Sequence, residues 1–136
     1  MLDFQDLVVY VPGESRVVQR TPAAIASSSL ALCQADGTAA VPDLAGRLRV
    51  FRMNADGGYD FDWGLSLFAP RAAAFSPDCA FIGVTSADDR HVWIVERASR
   101  RVVETFELGP AIRGAAFIGP RALAVADACT VSVLRF

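Results

Sequence analysis

Segments of this chain repeat one another, and the repeat limits the folds that the chain can adopt. Residues 7–20 align without a gap on residues 92–105, and both segments contain the triplet Arg-Val-Val. Between turns rich in Pro, Gly, Asp and Ser lie short apolar runs that alternate with a period of two, which is typical of β-strands. No segment of about ten residues or more has a helical period, so we expect an all-β domain.

The alignment of four segments places apolar residues in three columns. The first column contains Leu7, Leu48, Val92 and Val131. The second contains Val9, Val50, Ile94 and Val133, and the third contains Tyr10, Phe51, Val95 and Leu134. Upstream of the last two segments, Ala73-Ala74-Phe75 matches Ala115-Ala116-Phe117. The repeat is therefore about 40 residues long and contains four strands, which is the period of a β-propeller blade.

Residues 74–97, AFSPDCAFIGVTSADDRHVWIVER, carry the motifs of a known family. This segment resembles the core of a WD-repeat blade, in which Ser76-Pro77-Asp78 would form the first turn and Asp89 would be the structural aspartate of the second. Val95-Glu96 stands where the family has Trp-Asp, and Cys79 stands where the family has Gly. Because a residue with a Cβ adopts a positive φ less readily than Gly, the Cys79 position is expected to disfavour the ideal turn.

The resemblance implies a single partial propeller of about three four-stranded antiparallel blades, with a generic two-sheet β-sandwich as the alternative. With the strands of a blade called a to d, residues 1–22 would supply strands c and d of an incomplete blade. Residues 23–69 and 70–109 would each form a blade, and residues 110–136 would supply strands a to c. In this scheme residues 24–28 and 30–34 are separate strands, and residues 33–46 contain an insertion.

Three sheets cannot close a ring, because propellers close with about four to eight blades. The terminal faces of the arc would leave Leu7, Val9, Val131 and Val133 in water, and the missing last strand would leave an unpaired edge. We therefore expect a noncatalytic protein-interaction scaffold. The missing part would come from a different protein, from a second copy of the chain, or from a longer chain of which this is a piece.

Loops and an aromatic residue supply further candidates for contact with the partner. Insertions on one face of a repeat protein often carry partner contacts, which favours Asp43 and Leu44 within residues 33–46. Trp63 is a candidate hot spot, and Arg90 lies in a turn of the best-defined repeat.

Two other classes of function remain as alternatives. A propeller hydrolase with an acidic metal site could use Asp60, Asp62, Asp88, Asp89 and His91. A propeller that binds a glycan or another small ligand would need an aromatic platform in every blade, but the position of Trp93 is occupied by Val8, Arg49 and Ser132 in the other segments. We expect the acidic residues to belong to turns and to the rim, with no catalytic residue, metal or cofactor.

Composition narrows the list of partners and compartments. The net charge is −2 and all 13 basic residues are arginines, scattered except for Arg100-Arg101, so nucleic acid is not expected as a partner. No apolar run approaches the roughly 18 residues of a membrane-spanning helix, and the acidic N-terminal segment does not resemble a signal peptide, which favours a cytoplasmic or otherwise intracellular location. Cys33, Cys79 and Cys129 are odd in number and far apart, so buried free thiols are expected rather than disulfides.

Overall fold

A computed structural model describes the backbone of residues 5–11, 16–25, 29–43, 45–109 and 111–136, and side chains from residue 29 onward within these ranges. All regular structure in these ranges is β, and no helix that could cross a membrane occurs there. Blade I contains β1 (Gln5–Val11) and β2 (Arg16–Ile25). Blade II contains β3 (Ala31–Leu32), β4 (Ala39–Asp43), β5 (Arg47–Met53) and β6 (Tyr59–Ser66). Blade III contains β7 (Pro70–Phe75), β8 (Phe81–Ser86), β9 (His91–Glu96) and β10 (Arg101–Glu107), and blade IV contains β11 (Gly114–Gly119), β12 (Ala122–Ala126) and β13 (Val131–Arg135).

Each sheet is antiparallel and follows the order of the chain, with two, four, four and three strands. These meanders confirm the predicted all-β fold and partial propeller architecture. The predicted residue bounds of the blades stay a prediction. One strand differs from expectation, because β2 continues to Ile25, which pairs with Gln5, so that residues 24 and 25 do not begin a separate strand. Residues 26–28 of that predicted strand lie outside the described residues.

The inner strands of blade II also differ from the sequence prediction. β3 has only two residues, and the supposed insertion contains β4, which is buried along its whole length. The AAVPD segment was interpreted as part of an insertion over residues 33–46, and its Pro42 is a residue that seldom occupies a central strand. Here β3 pairs only with Ala39 and Ala40, so no described strand on that side needs a hydrogen bond from Pro42.

The blades pack on one another through their apolar faces. Leu48, Val50 and Trp63 of blade II pack with Ile82, Val84 and Val95 of blade III. On the other side of blade III, Val92, Ile94 and Phe81 pack with Leu123, Val125 and Leu134 of blade IV. Alternation along β9 thus sends Val92 and Ile94, of the first two sequence columns, toward blade IV and Val95, of the third column, toward blade II.

The cysteines contradict the expectation of buried free thiols. Cys33, directly after β3, forms a disulfide with Cys79 in the turn between β7 and β8. Cys129 is free, but it is exposed rather than buried. The expectation failed because sequence spacing does not show which turns of neighbouring blades lie side by side. Cys79 also adopts φ +59°, so the left-handed turn expected of Gly forms despite the Cβ.

Candidate functional site: the open face of blade IV

Blade IV covers blade III with one face and presents the other to solvent. Leu123 and Val125 are buried against blade III, and the residues that alternate with them on β12 point the opposite way. Cross-strand pairing joins Ala116 to Ala124 and Ala124 to Val133, which places these three on the same face. We call this surface the open face and define it by Ala116, Ile118, Ala122, Ala124, Ala126, Val131 and Val133.

Large aliphatic side chains on the open face are exposed. Val131 is 70% exposed, Ile118 61% and Val133 45%. The equivalent residues of blade III, Val92 and Ile94, are fully buried beneath blade IV. The described part of the chain contains no sheet that covers the open face. Val131 and Val133 therefore align in sequence with buried residues of blade III but are exposed to solvent.

The outer strand of blade IV has a free edge within the described residues. β13 pairs with β12 through five residue pairs, from Ala122 with Arg135 to Ala126 with Val131, and pairs with no other described strand. In blade III the same edge is occupied by β10. An unpaired strand edge of this kind can accept a further strand by main-chain hydrogen bonding.

Among the predicted contact residues, Val131 and Val133 lie on the open face, and their role in binding stays a prediction. The side chains of Leu7 and Val9, on β1, lie outside the described residues, as does Leu44 entirely. Ile118 was missed by the sequence analysis, because it adjoins a register shift in β11 and falls outside the three aligned columns.

Asp43 is the last residue of β4, next to the turn that leads into β5, and is fully buried. One carboxylate oxygen, Oδ1, accepts a hydrogen bond of 2.9 Å from the Ala45 amide. The Nε atom of Arg49 lies 3.3 Å from Oδ2, an ion-pair contact without hydrogen-bond geometry. Its burial argues against the predicted contact role, because a carboxylate with no exposed area cannot meet a partner unless the turn opens. The sequence suggested a surface site because residues 33–46 were interpreted as an insertion.

Trp63 and Arg90 have different surroundings. Trp63 is buried between blades II and III, where the guanidinium of Arg100 lies 5.8 Å from its ring centroid. Packing between the blades accounts for its burial, and its role in partner contact stays a prediction. An open groove of about 440 Å³ runs beside it, lined by Asp62, Trp63, Ala80, Glu96, Arg97, Ala98 and Arg100. The side chain of Arg90 is exposed in the turn between β8 and β9, where it is accessible to a partner.

The same turn is held by a hydrogen-bonded cluster of Ser86, Asp88 and His91. Asp88 accepts hydrogen bonds from the Ser86 hydroxyl and from the Arg90 amide, and its second oxygen lies 2.9 Å from His91 Nδ1. The Ser86 hydroxyl, followed by the Arg90 amide and His91, lowers the pKa of Asp88 to about 2. Ser86 also accepts the His91 amide hydrogen bond, so each member of the cluster is used in holding the turn.

The turn between β7 and β8 repeats this arrangement with Ser76 and Asp78. The Ser76 hydroxyl donates to Asp78 Oδ1 at 2.6 Å, and Ser76 Oγ accepts a hydrogen bond from the Phe81 amide. The Ser76 hydroxyl lowers the pKa of Asp78, with further help from the Ala80 amide. Because the same Ser-x-Asp hydrogen bond stabilises the turns at both ends of β8, turn formation accounts for both clusters. The described residues contain no group of three His, Cys, Asp or Glu arranged to hold a metal ion.

Comparison with known proteins gives a likeness of fold alone. No family model matches the sequence, and no curated protein matches it. The structure resembles hydrazine synthase of Kuenenia stuttgartiensis with a TM-score of 0.66 and 17% identity, and Hsv2 of Kluyveromyces lactis with a TM-score of 0.62 and 10% identity. Each match covers 79% of this chain and 32% of the other, so this chain spans about a third of the length of those proteins. At such low identity the similarity establishes a β-propeller-like fold of partial extent.

Proposed function

We propose that this chain is a noncatalytic protein-interaction module, a partial WD-like propeller that is completed by the blades of another chain or of a second copy. The open face of blade IV would be the docking surface. Its occupant would be another β-sheet of the propeller type, which would lie on β11 to β13 as blade IV lies on blade III. The interaction would place this chain within a larger assembly.

One observation carries the proposal, namely the exposure of Val131 and Val133 at positions whose equivalents in blade III are buried. Fully burying a valine or isoleucine side chain contributes about 1.5–3 kcal/mol, so covering Val131, Val133 and Ile118 would contribute on the order of 5 kcal/mol. Ala116 and Ala124 have small side chains, which leave room on the open face for the side chains of an opposing sheet. Contiguous exposed apolar patches on proteins commonly mark interaction sites.

The resemblance to WD-repeat blades is supported by the turns of blade III. Ser76-Pro77-Asp78 forms the turn between β7 and β8, and Asp89 lies in the following turn with φ +58°. Asp89 also contacts Arg71 through its carboxylate, and its carbonyl accepts the Ile112 amide hydrogen bond at 3.0 Å. The aspartate that the resemblance assigned to this turn therefore ties blade III to the segment that leads into blade IV.

The docking surface can be tested with the double variant Val131→Asp and Val133→Asp. At micromolar concentration, we expect light scattering to show that the unmodified chain self-associates if its partner is a second copy. If its partner is a different chain, we expect a monomer that binds a hydrophobic dye. The double variant should be monomeric and bind little dye, because two carboxylates oppose burial of the face. Val103→Asp on the rim strand β10 is the matched control, since Val103 is 44% exposed and lies outside the open face.

The two positive outcomes separate the two kinds of partner. Self-association that the double variant abolishes would identify a second copy as the occupant, whereas a dye-binding monomer would indicate a different chain. A stable monomer that binds no dye, or a double variant that behaves like the control, would contradict the proposal.

A further inference from the structure

A covalent link joins blades II and III at the end of the sheets where β3 leads into β4. Cys33 begins the tight loop between these strands, in which its amide donates to the Thr38 carbonyl at 2.8 Å and its own carbonyl accepts from the Gly37 amide at 2.8 Å. Cys79 lies in the turn between β7 and β8 of the next blade, with its Cα atom 5.7 Å from that of Cys33. This distance is within the ordinary range for a disulfide, so both turns accommodate the bond in their folded positions.

An ion pair links the same two blades beside the disulfide. Arg97, which follows β9 of blade III, donates through one guanidinium nitrogen to Asp36 Oδ2 and to Thr38 Oγ1 of blade II, both at 2.6 Å. Burial, the largest single influence, favours a higher pKa for Asp36, but hydrogen bonds from Thr38 and Arg97 outweigh it and lower the pKa. The carboxylate is therefore charged at neutral pH, and the loop that carries Cys33 is fixed against blade III by two independent contacts.

Position 79 serves both the turn and the cross-link, because the Cys79 amide donates to the Ser76 carbonyl at 2.8 Å while its side chain forms the disulfide. Cys79 has φ +59°, in the left-handed region that glycine adopts without the steric penalty of a Cβ. The Cys79 side chain is almost completely buried, as is that of Cys33. A glycine would suit this turn better but could not form the bond, whereas cysteine accepts the backbone penalty and connects the blades.

We propose that oxidation of Cys33 and Cys79 is a functional modification of this protein, and that the resulting disulfide clamps blade II to blade III. In a closed propeller the ring of blades would hold neighbouring blades together, and here the disulfide would do so. The reaction is thiol–disulfide exchange with a small disulfide such as oxidised glutathione. One S–S bond forms in the protein, and the S–S bond of the oxidant breaks. The two thiols of the protein lose two electrons and two protons, and the oxidant gains them and leaves as two thiols.

The clamp has a consequence for the compartment in which the chain acts. Structural disulfides form and persist in oxidising compartments and are rare where thioredoxin and glutathione keep thiols reduced. The inter-blade bond therefore favours an oxidising compartment over the intracellular location expected from the N-terminal sequence. This inference concerns the junction of blades II and III and does not depend on whether a partner covers the open face.

The number of free thiols can be measured by alkylating the cysteines and determining the intact mass of the chain. After refolding in a glutathione buffer that contains the oxidised form, the chain unfolded without reductant should take up one label, at Cys129. After reduction it should take up three. Cys129→Ser should reduce the first count to zero, and Cys33→Ser should give two labels whether or not reductant is present. Three labels on the unmodified chain from the oxidising buffer would show that the bond does not form and would overturn the proposal.

The clamp itself is tested by denaturant unfolding of the unmodified chain with and without reductant, so that the sequence stays the same. Closing a loop with a sequence separation of 46 residues lowers the unfolding equilibrium constant by up to about a thousandfold in the chain-entropy model. We expect reduction to raise this constant by at least tenfold and to shift the tryptophan fluorescence, because Trp63 and Trp93 both pack at the junction. Reductant should change nothing in Cys33→Ser. A change of less than twofold in the unmodified chain would overturn the clamp even if the bond forms.

Discussion

Blades III and IV carry the same pair of aliphatic positions in different surroundings. Val92 and Ile94 on β9 are fully buried, whereas Val131 and Val133 on β13 are largely exposed. The two strands have similar sequences, and each is the third strand of its sheet. β9 is covered by blade IV and pairs with β10 at its outer edge, whereas no described sheet covers β13 and no described strand pairs with its outer edge. In a repeat fold of this kind, whether a residue belongs to the core depends on the next repeat.

The largest effect on stability is expected when one residue of each pair is replaced with alanine. Ile94→Ala should lower the free energy of unfolding by about 2–5 kcal/mol, because it leaves a cavity between blades III and IV. Val133→Ala should change it by less than about 0.5 kcal/mol while the open face is uncovered. Urea unfolding followed by circular dichroism measures both. Equal effects of the two substitutions would show that the open face is already buried in solution.

A smaller effect is expected from a side chain added between blades III and IV. Gly83 lies in the middle of β8, and a Cβ there would stand 3.2 Å from Leu123 Cδ2 and 3.2 Å from Phe117 Cε2. Gly83→Val should therefore destabilise the chain by about 1–3 kcal/mol, because it overpacks the interface. The control is Gly109→Ala, since a Cβ on Gly109 would meet no atom within 4 Å. If the two variants have the same unfolding midpoint, blades III and IV do not pack as closely as described.

The smallest effect concerns the turns before β9 and β13, each of which contains a hydrogen-bonded aspartate. The Cys129 and Thr130 amides lower the pKa of Asp127, and the Ser86 hydroxyl lowers that of Asp88 from its ordinary 3.8 to about 2. Because the pKa of Asp88 is lower in the folded state, its contribution is complete above about pH 4 and is lost as the pH falls toward 2. Melting temperatures between pH 5 and 2 should fall less steeply for Asp88→Asn than for the unmodified chain. Parallel curves for the two proteins would contradict this role of the turn.

Blade III was the part of the fold that the sequence described best. Its strands have regular alternation, and its turns use Ser-x-Asp hydrogen bonds that act within five residues. Blade II was described less well, since β3 is very short and β4 contains Pro42. Both features weaken the local pattern, and β4 is a strand because it pairs with β5 and is buried on both faces.

The candidate site was predicted in part. The columns containing Val131 and Val133 identified aliphatic positions of the last strand, but alternation alone could not find Ile118 at the irregular end of β11. The burial of Asp43 was not expected, because a polar residue in an apparent insertion is usually exposed, whereas here it lies beside Arg49.

The sequence by itself determined the all-β class, most of the strands and the alternation of apolar and polar positions along them, since these depend on residues close together in the chain. Only the tertiary structure decided that Cys33 meets Cys79, that Arg97 reaches Asp36, and that β13 presents its aliphatic side chains to solvent. These outcomes depend on how far one sheet rotates and shifts relative to the next. That geometry is fixed by the combined packing of many side chains between blades, so no single segment encodes it.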